Sequence, residues 1–376
     1  MGAVCVIVLC ITLSLGLWPF YHPRNDVTWT PQAGGLAFGE YGTVFSSGPL
    51  MAADRWSDSG GSIEMWIQPD RSNSATILAL YRPEKSLLVT LAQSETDLEL
   101  NAEFKNDSGA RVKWHFYQGN AFVSALRKKK AVFITVTCGP AGTKVYLDGT
   151  LVETAPNFWI PQDAFRSRLI VGDSPGQPDS FSGLVRGLAI YGAELNGAQI
   201  RRHYENWIAD GRPDVDQTQY ILALYLFNEK TGDTVRNQAG ADGDLHIPER
   251  YMVIDKVALE PFWTEFNASG GYWRGNLKNI VGFIPLGFCF YAYFAVSGLR
   301  GRALLITIMV GALVSLTIEI LQAALPTRDS GTTDLITNTI GTWVGVLCYQ
   351  QTYPILVKRL PWLGWLAPNS NHGTLV

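Results

Sequence analysis

Several polar residues sit inside long uncharged runs, where an unpaired polar side chain is costly, and their spacing is that of a helix face. Glu319 lies within 303–325 (ALLITIMVGALVSLTIEILQAAL), with Gln322 three residues on and Ser315 four residues before it, so the three share one face. Asp334 and Asn338 are four apart at the head of 335–353 (LITNTIGTWVGVLCYQQTY), Arg328 and Asp329 occupy the turn between these runs, and Asn279 leads into 280–299 (IVGFIPLGFCFYAYFAVSGL). A carboxylate at such depth is tolerated when it is paired or faces a polar cavity, which makes Asn279, Glu319, Gln322, Arg328, Asp334 and Asn338 a candidate intramembrane site. Its chemistry would be a guanidinium able to hold a phosphate, with Glu319 or Asp334 as proton acceptor. The other reading is that Glu319, Arg328 and Asp334 lock a helix bundle.

The elements that must position these residues are membrane helices. Each of the three runs is long enough to span, since roughly 20 apolar residues cross a bilayer core. Residues 3–18 (AVCVIVLCITLSLGLW) are shorter; no basic residue precedes them and no small-residue cleavage site follows, which predicts an uncleaved anchor and four spans in all. Arg300 and Arg302 join the second and third spans, and Lys358 and Arg359 follow the fourth. The positive-inside rule then puts both termini in the cytoplasm, with the 325–334 turn and the large region between spans one and two outside. In 280–299, Pro285 marks a place where the backbone ladder can open, and Gly341 and Gly345 favour close helix approach.

Composition agrees. Of 376 residues only 17% are charged, against roughly 25% in soluble domains, while 47% are hydrophobic, which excludes a disordered chain. A net charge of -3 supplies no field to hold nucleic acid. Four of the five cysteines lie in apolar runs and only Cys138 lies in the polar middle, so no disulfide forms within that region. The five histidines (22, 115, 203, 246 and 372) are scattered, and no nucleophile, metal triad or nucleotide loop names a reaction.

From about 25 to 250 the pattern changes to period-two runs between Gly, Pro, Asp and Asn. Such runs include Ser62–Ile67, Ala75–Leu80, Leu87–Leu91, Val112–Tyr117, Ala131–Cys138, Lys144–Leu147, Arg168–Val171 and Gly187–Tyr191. They predict an antiparallel sandwich with a hairpin turn at Gly139–Gly142, followed by one amphipathic helix over 194–209 that carries Leu195, Ile200, Tyr204 and either Trp207 or Ile208 on one face. The Ser62–Pro69 segment, TVTCGPAGTKVYLDG and Phe181–Leu195 resemble the laminin-G-like, concanavalin A-like jelly roll over roughly 33–210. Leu224–Glu229 through Leu245 resembles that family's opening strand, displaced to follow the closing helix, which implies that 220–247 returns to complete the sheet. The family's acidic residue after the closing Gly-x pair is replaced here by Val185-Arg186. The resemblance implies carbohydrate or protein binding, often with calcium. Asp54, Asp58 and Asp173 are candidate oxygen ligands, and Trp29, Trp56, Trp114 and Trp159 candidate platforms for sugar rings, against the alternatives of turn and core residues.

The spaced polar residues in the last third resemble the VanZ-like membrane family. Asn279 to Gly287 matches its N-x-x-x-F-x-P-x-G element, Glu319 and Gln322 its E-x-x-Q, and Arg328, Asp334, Asn338 and Gly341 its R-x-x-x-x-x-D-x-x-x-N-x-x-G. The resemblance covers about 276–350 with 3–20, and implies a cell-envelope protein of a family named for glycopeptide-resistance clusters. The expected plan is a first transmembrane helix at 1–21, a jelly roll at 25–250, an interfacial aromatic linker at 251–275, three further helices at 276–353 and a cytoplasmic tail at 354–376. The function expected is an accessory or anchor protein whose external domain binds glycan or protein. The alternatives are an enzyme or a transporter acting on a lipid-linked envelope glycoconjugate. Partners are then the lipid bilayer and an envelope glycan, lipid-linked glycoconjugate or membrane protein.

Overall fold

β-Branched and aromatic side chains such as those of Ile63, Trp66 and Ile67 fit a pleated, half-buried surface, and the middle of the chain folds accordingly. The computed structural model describes residues 1–359 except 20, 33, 51–59, 96, 106–110, 119–129, 177, 216–218, 241, 267–269, 298 and 300. It divides into two units, His22–Asp255 and Met1–Tyr21 with Lys256–Val376.

The first unit is a two-sheet β-sandwich. One sheet runs β1 (Val27–Trp29), β2 (Leu36–Phe38), β13 (Gly183–Tyr191), β4 (Gly61–Pro69), β9 (Val132–Gly139), β10 (Gly142–Leu147) and β11 (Thr150–Ala155), with β14 (Ile221–Tyr225) also on β13. The other runs β15 (Thr234–Val235), β16 (Leu245–His246), β3 (Val44–Pro49), β12 (Arg168–Val171), β5 (Ala75–Arg82), β6 (Leu87–Ser94), β7 (Asp97–Lys105) and β8 (Arg111–Gln118). The ladders are antiparallel, as in β4 against β9 and β13. Ile63, Met65 and Ile67 of β4 meet Leu78 and Leu80 of β5 in one apolar core. The segment after residue 220 serves both sheets: β14 pairs with β13, while β16 pairs with β3. Its Ala223, Tyr225, Phe227, Val235 and Leu245 are buried in the same core, which is why it packs back onto the sandwich.

Five longer helices are numbered α1 (Gly2–Leu17), α2 (Gly197–Asp210), α3 (Gly270–Val296), α4 (Ala303–Ala323) and α5 (Thr332–Arg359). In α2 the Asn196 side chain accepts from the backbone of Ala198 and Gln199, Gln199 answers through its own side chain, and Gly211 ends the helix in the left-handed region. Trp207, not Ile208, completes its buried face, with Ile200 and His203, and Ile208 is 54% exposed.

Residues 251–255 belong to the sandwich rather than to the interfacial linker expected from sequence. Tyr251 and Ile254 are buried there, and the Gly176 N–H donates to Ile254 O at 2.8 Å. The linker also ends early, because α3 begins at Gly270 and carries Tyr272 and Trp273, and it contains Pro285 without interruption. Among the described residues, α3 and α4 are long and apolar enough to cross a membrane, and α1 is apolar but shorter. Glycines set the packing of this unit: a Cβ on Gly287 would lie 2.0 Å from Thr342 O, one on Gly341 2.2 Å from Ile280 O, and one on Gly345 2.2 Å from Ile284 O.

Candidate functional site

The six polar residues singled out from the sequence line one cavity in the helical unit. Its volume is about 560 Å³, and Asn279, Glu319, Gln322, Arg328, Asp334 and Asn338 share its wall with Lys278 and with Val8, Ile11, Leu15, Phe283 and Ile318. Four elements bring them together. Asn279 comes from α3, Glu319 and Gln322 from α4, Arg328 from the following turn, and Asp334 and Asn338 from α5, while α1 closes the apolar side.

Glu319 and Gln322 are only 1% and 2% exposed, and Asn338 is 5% exposed. Glu319 Oε2 accepts the Gly331 N–H at 2.9 Å, and its carbonyl accepts Ser330 Oγ at 2.8 Å. Gln322 Nε2 donates to Gly16 O at 2.7 Å, and Asn338 Nδ2 donates to Ser315 Oγ at 2.9 Å, fixing a side chain that the helix spacing placed on the same face as Glu319. Asn279 hydrogen-bonds Asp334. Arg328 reaches Trp18 O through Nη1 at 3.4 Å. Three buried atoms of the cavity wall have no partner among the described residues: Gln322 Oε1, Asn338 Oδ1 and Arg328 Nε. Each such group carries an unmet desolvation cost of about 1–3 kcal/mol, which a ligand or ordered water would relieve.

Sequence reasoning missed the strap that shapes this site. The Lys256 amine donates to the carbonyls of Gln322, Leu325 and Arg328, completing the C-terminal end of α4, where a cation is favoured. Partial burial pulls that amine below its ordinary pKa. Glu260 pairs through its backbone with Ser330 and Thr332, and Glu265 Oε2 accepts the Thr333 N–H at 2.9 Å at the start of α5. Glu265, Glu319 and Asp334 thus gather at one helix N-terminus, whose dipole favours negative charge. Nothing in local spacing signals these pairings, which join residues about 66–72 apart.

The sandwich holds a different cluster. Glu64 and His203 are fully buried with His203 Nδ1 2.9 Å from Glu64 Oε1, and Glu64 Oε2 accepts from Tyr191 at 2.7 Å and Trp207 Nε1 at 3.3 Å. Gln219 Nε2 lies 3.0 Å from His203 Nε2, and burial beside Glu64 pushes the Tyr191 phenol well above its usual pKa. The cluster clamps α2 onto the sheet. The available sequence signal was His203 itself, three residues after Ile200 and four before Trp207 on the helix's apolar face.

Asp173 is 1% exposed; its Oδ1 accepts from the backbone of Ser174 and Asp179 at 2.8 and 2.9 Å, and Tyr251 hydrogen-bonds the same carboxyl. Burial pushes its carboxyl up to about 7. Asp54 and Asp58, proposed with it as calcium ligands, lie outside the described residues, and no group of three metal-ligating side chains forms among the described ones. Trp29 packs against the core with Nε1 donating to Gly232 O at 2.8 Å, whereas Trp159 is 47% exposed. Trp56 and the Trp114 side chain lie outside the described set.

A family model for VanZ/LLP1 matches residues 220–356, taking in β14 to β16 as well as the helices that bear the polar cavity, and a model for the concanavalin A-like lectin/glucanases superfamily, of the laminin-G type, matches 43–201. The chain joins a VanZ-like membrane domain to a concanavalin A-like jelly roll. Among solved structures, this chain is similar to the receptor-binding domain of botulinum neurotoxin D, with 16% identity over 52% of this chain and 51% of that one, at a TM-score of 0.32. It is also similar to the binding domain of botulinum neurotoxin DC in complex with rat synaptotagmin II, with 16% identity over 49% of this chain and 46% of that one, at a TM-score of 0.34. The chain spans about half the length of the structures it matches. No match was found among curated proteins.

Proposed function

We propose that this is a cell-envelope accessory protein: a four-span VanZ-like unit anchors an extracytoplasmic jelly roll that recognises a glycan or a protein. The reading rests on one observation above others, the joining of a lectin-like sandwich to a helical region with membrane-length apolar helices. The basic residues Arg302, Lys358 and Arg359 favour a cytoplasmic side for both termini, and the exposed Phe262, Trp263, Phe266 and Trp273 suit the external interface. Full-length protein in nanodiscs, screened against envelope polysaccharides and membrane-fraction proteins, tests recognition. Thiol labelling of single cysteines placed at Thr231 and after Val376 in intact cells tests topology, the first reacting with an impermeant reagent and the second protected. The opposite pattern overturns the orientation.

A second reading, an enzyme or transporter acting on a lipid-linked envelope glycoconjugate, is favoured by the cavity. Its polar wall sits beside apolar residues of α1 and α3, a combination suited to an amphiphile. It predicts that Glu319→Gln and Asp334→Asn abolish turnover or transport of such a lipid in proteoliposomes while leaving recognition by the sandwich intact. Equal activity of the variants and wild type would sink it.

A further inference from the structure

We propose that the cavity is a headgroup site for a zwitterionic phosphate–ammonium lipid, reached sideways from the bilayer between α1 and α3. The inference rests on the membrane placement proposed above but on neither choice of activity.

The location of the opening follows from which lining residues are exposed. Ile11 and Leu15 on α1 are 52% and 73% exposed, and Lys278 and Gly282 on α3 are exposed too, whereas Phe283 and Ile318 form a buried floor. The gap therefore lies between α1 and α3, toward the C-terminal end of α1. Gly282 separates itself from the packing glycines. A Cβ added there meets nothing within 4 Å, while one on Gly287, Gly341 or Gly345 would strike the backbone of a facing helix. Gly282 keeps the opening clear and holds no helix in place.

The headgroup chemistry follows from charge and from the unmet hydrogen bonds. The wall carries two basic groups, Lys278 and Arg328, and two carboxyl groups, Glu319 and Asp334, so a partner with separate anionic and cationic ends finds a counterpart for each. Arg328 Nε is a buried donor without a partner, suited to a phosphate oxygen. Gln322 Oε1 and Asn338 Oδ1 are buried acceptors without partners, on side chains at least nine-tenths buried, and they require a donor. A primary ammonium supplies three N–H donors for those oxygens and for the two neighbouring carboxyl groups. A quaternary ammonium supplies charge without donors, and a glycerol headgroup supplies donors with a net negative charge.

The test is native mass spectrometry of full-length protein, wild type, Gly282→Leu and Arg328→Gln, released from nanodiscs containing equal parts phosphatidylethanolamine, phosphatidylcholine and phosphatidylglycerol. The expected result is retention of phosphatidylethanolamine over each of the others by about tenfold in wild type, with the preference lost in Gly282→Leu and weakened in Arg328→Gln. Gly282→Leu keeps the result readable if Arg328→Gln fails to fold, because its side chain enters open space. Equal retention of phosphatidylcholine, a preference for phosphatidylglycerol, an unchanged preference in Gly282→Leu, or a lipid-linked saccharide retained from cells in place of phosphatidylethanolamine would each overturn the proposal. Recovery of the chain from cells without detergent would instead overturn the membrane placement beneath it.

Discussion

Two buried glutamates, one in each unit, show how differently the same side chain can be used. Glu64 spends both oxygens on His203, Tyr191 and Trp207 in a closed cluster that ties α2 to the sheet. Glu319 spends one oxygen on the Gly331 N–H and stands in the wall of a cavity beside buried amide oxygens that have no partner. A filled network gives rigidity, and an unfilled one leaves a site that a ligand can complete. The side chains are alike, and the difference lies in how many partners the fold returns to each.

Removing Glu64 is expected to have the largest effect. Glu64→Ala removes the acceptor that His203, Tyr191 and Trp207 share in a dry interior and should cost about 3–5 kcal/mol, read as an earlier unfolding transition of the sandwich. Glu319→Ala should cost less, about 1–3 kcal/mol; equal losses in the two variants would erase the contrast.

Glycines sharpen the comparison within the helical unit. Gly341→Leu forces a side chain onto the backbone at Ile280 and should destabilise the bundle by about 1–3 kcal/mol or more. Gly282→Leu should leave its melting temperature unchanged. A bundle that melts early in both would show that the opening at Gly282 is needed for packing.

Asp173 sets up a pH dependence in the sandwich. Because burial holds its carboxyl protonated up to about 7 in the folded state, against 3.8 for the ordinary group, the unfolded chain releases that proton first as pH rises. Its contribution to stability is full below about 4 and is lost through about 7, at ~1.4 kcal/mol per pH unit within that window. The difference in denaturation midpoint between wild type and Asp173→Asn should therefore shift in favour of the variant across those pH values. A pH-independent difference would remove the role assigned to burial.

The smallest effect is expected at Lys256. Lys256→Met removes the donor to the carbonyls of Gln322, Leu325 and Arg328 and should cost ~1 kcal/mol, with faster hydrogen exchange at the turn bearing Arg328. No change in exchange would mean that the strap is dispensable.

The amino-acid sequence by itself determined the two-part plan, the strand-rich middle and the helix-face spacing of the polar residues. Those features depend on local rules. Period-two alternation marks β4 and β9, a continuous apolar run marks β5, and residues three or four apart place Ser315, Glu319 and Gln322 on one side of α4. Strands with short or interrupted patterns, such as β1 to β3, escaped notice because their apolar positions are too few to set a period. The tertiary structure alone decided that Glu64 meets His203, 139 residues away, that Lys256 and Glu265 clasp the ends of α4 and α5, and that 251–255 closes the sandwich. It also decided which amide oxygens are left without partners. Local spacing fixes the direction of a side chain along its own element, but whether it finds a partner depends on the packing of elements distant in the chain.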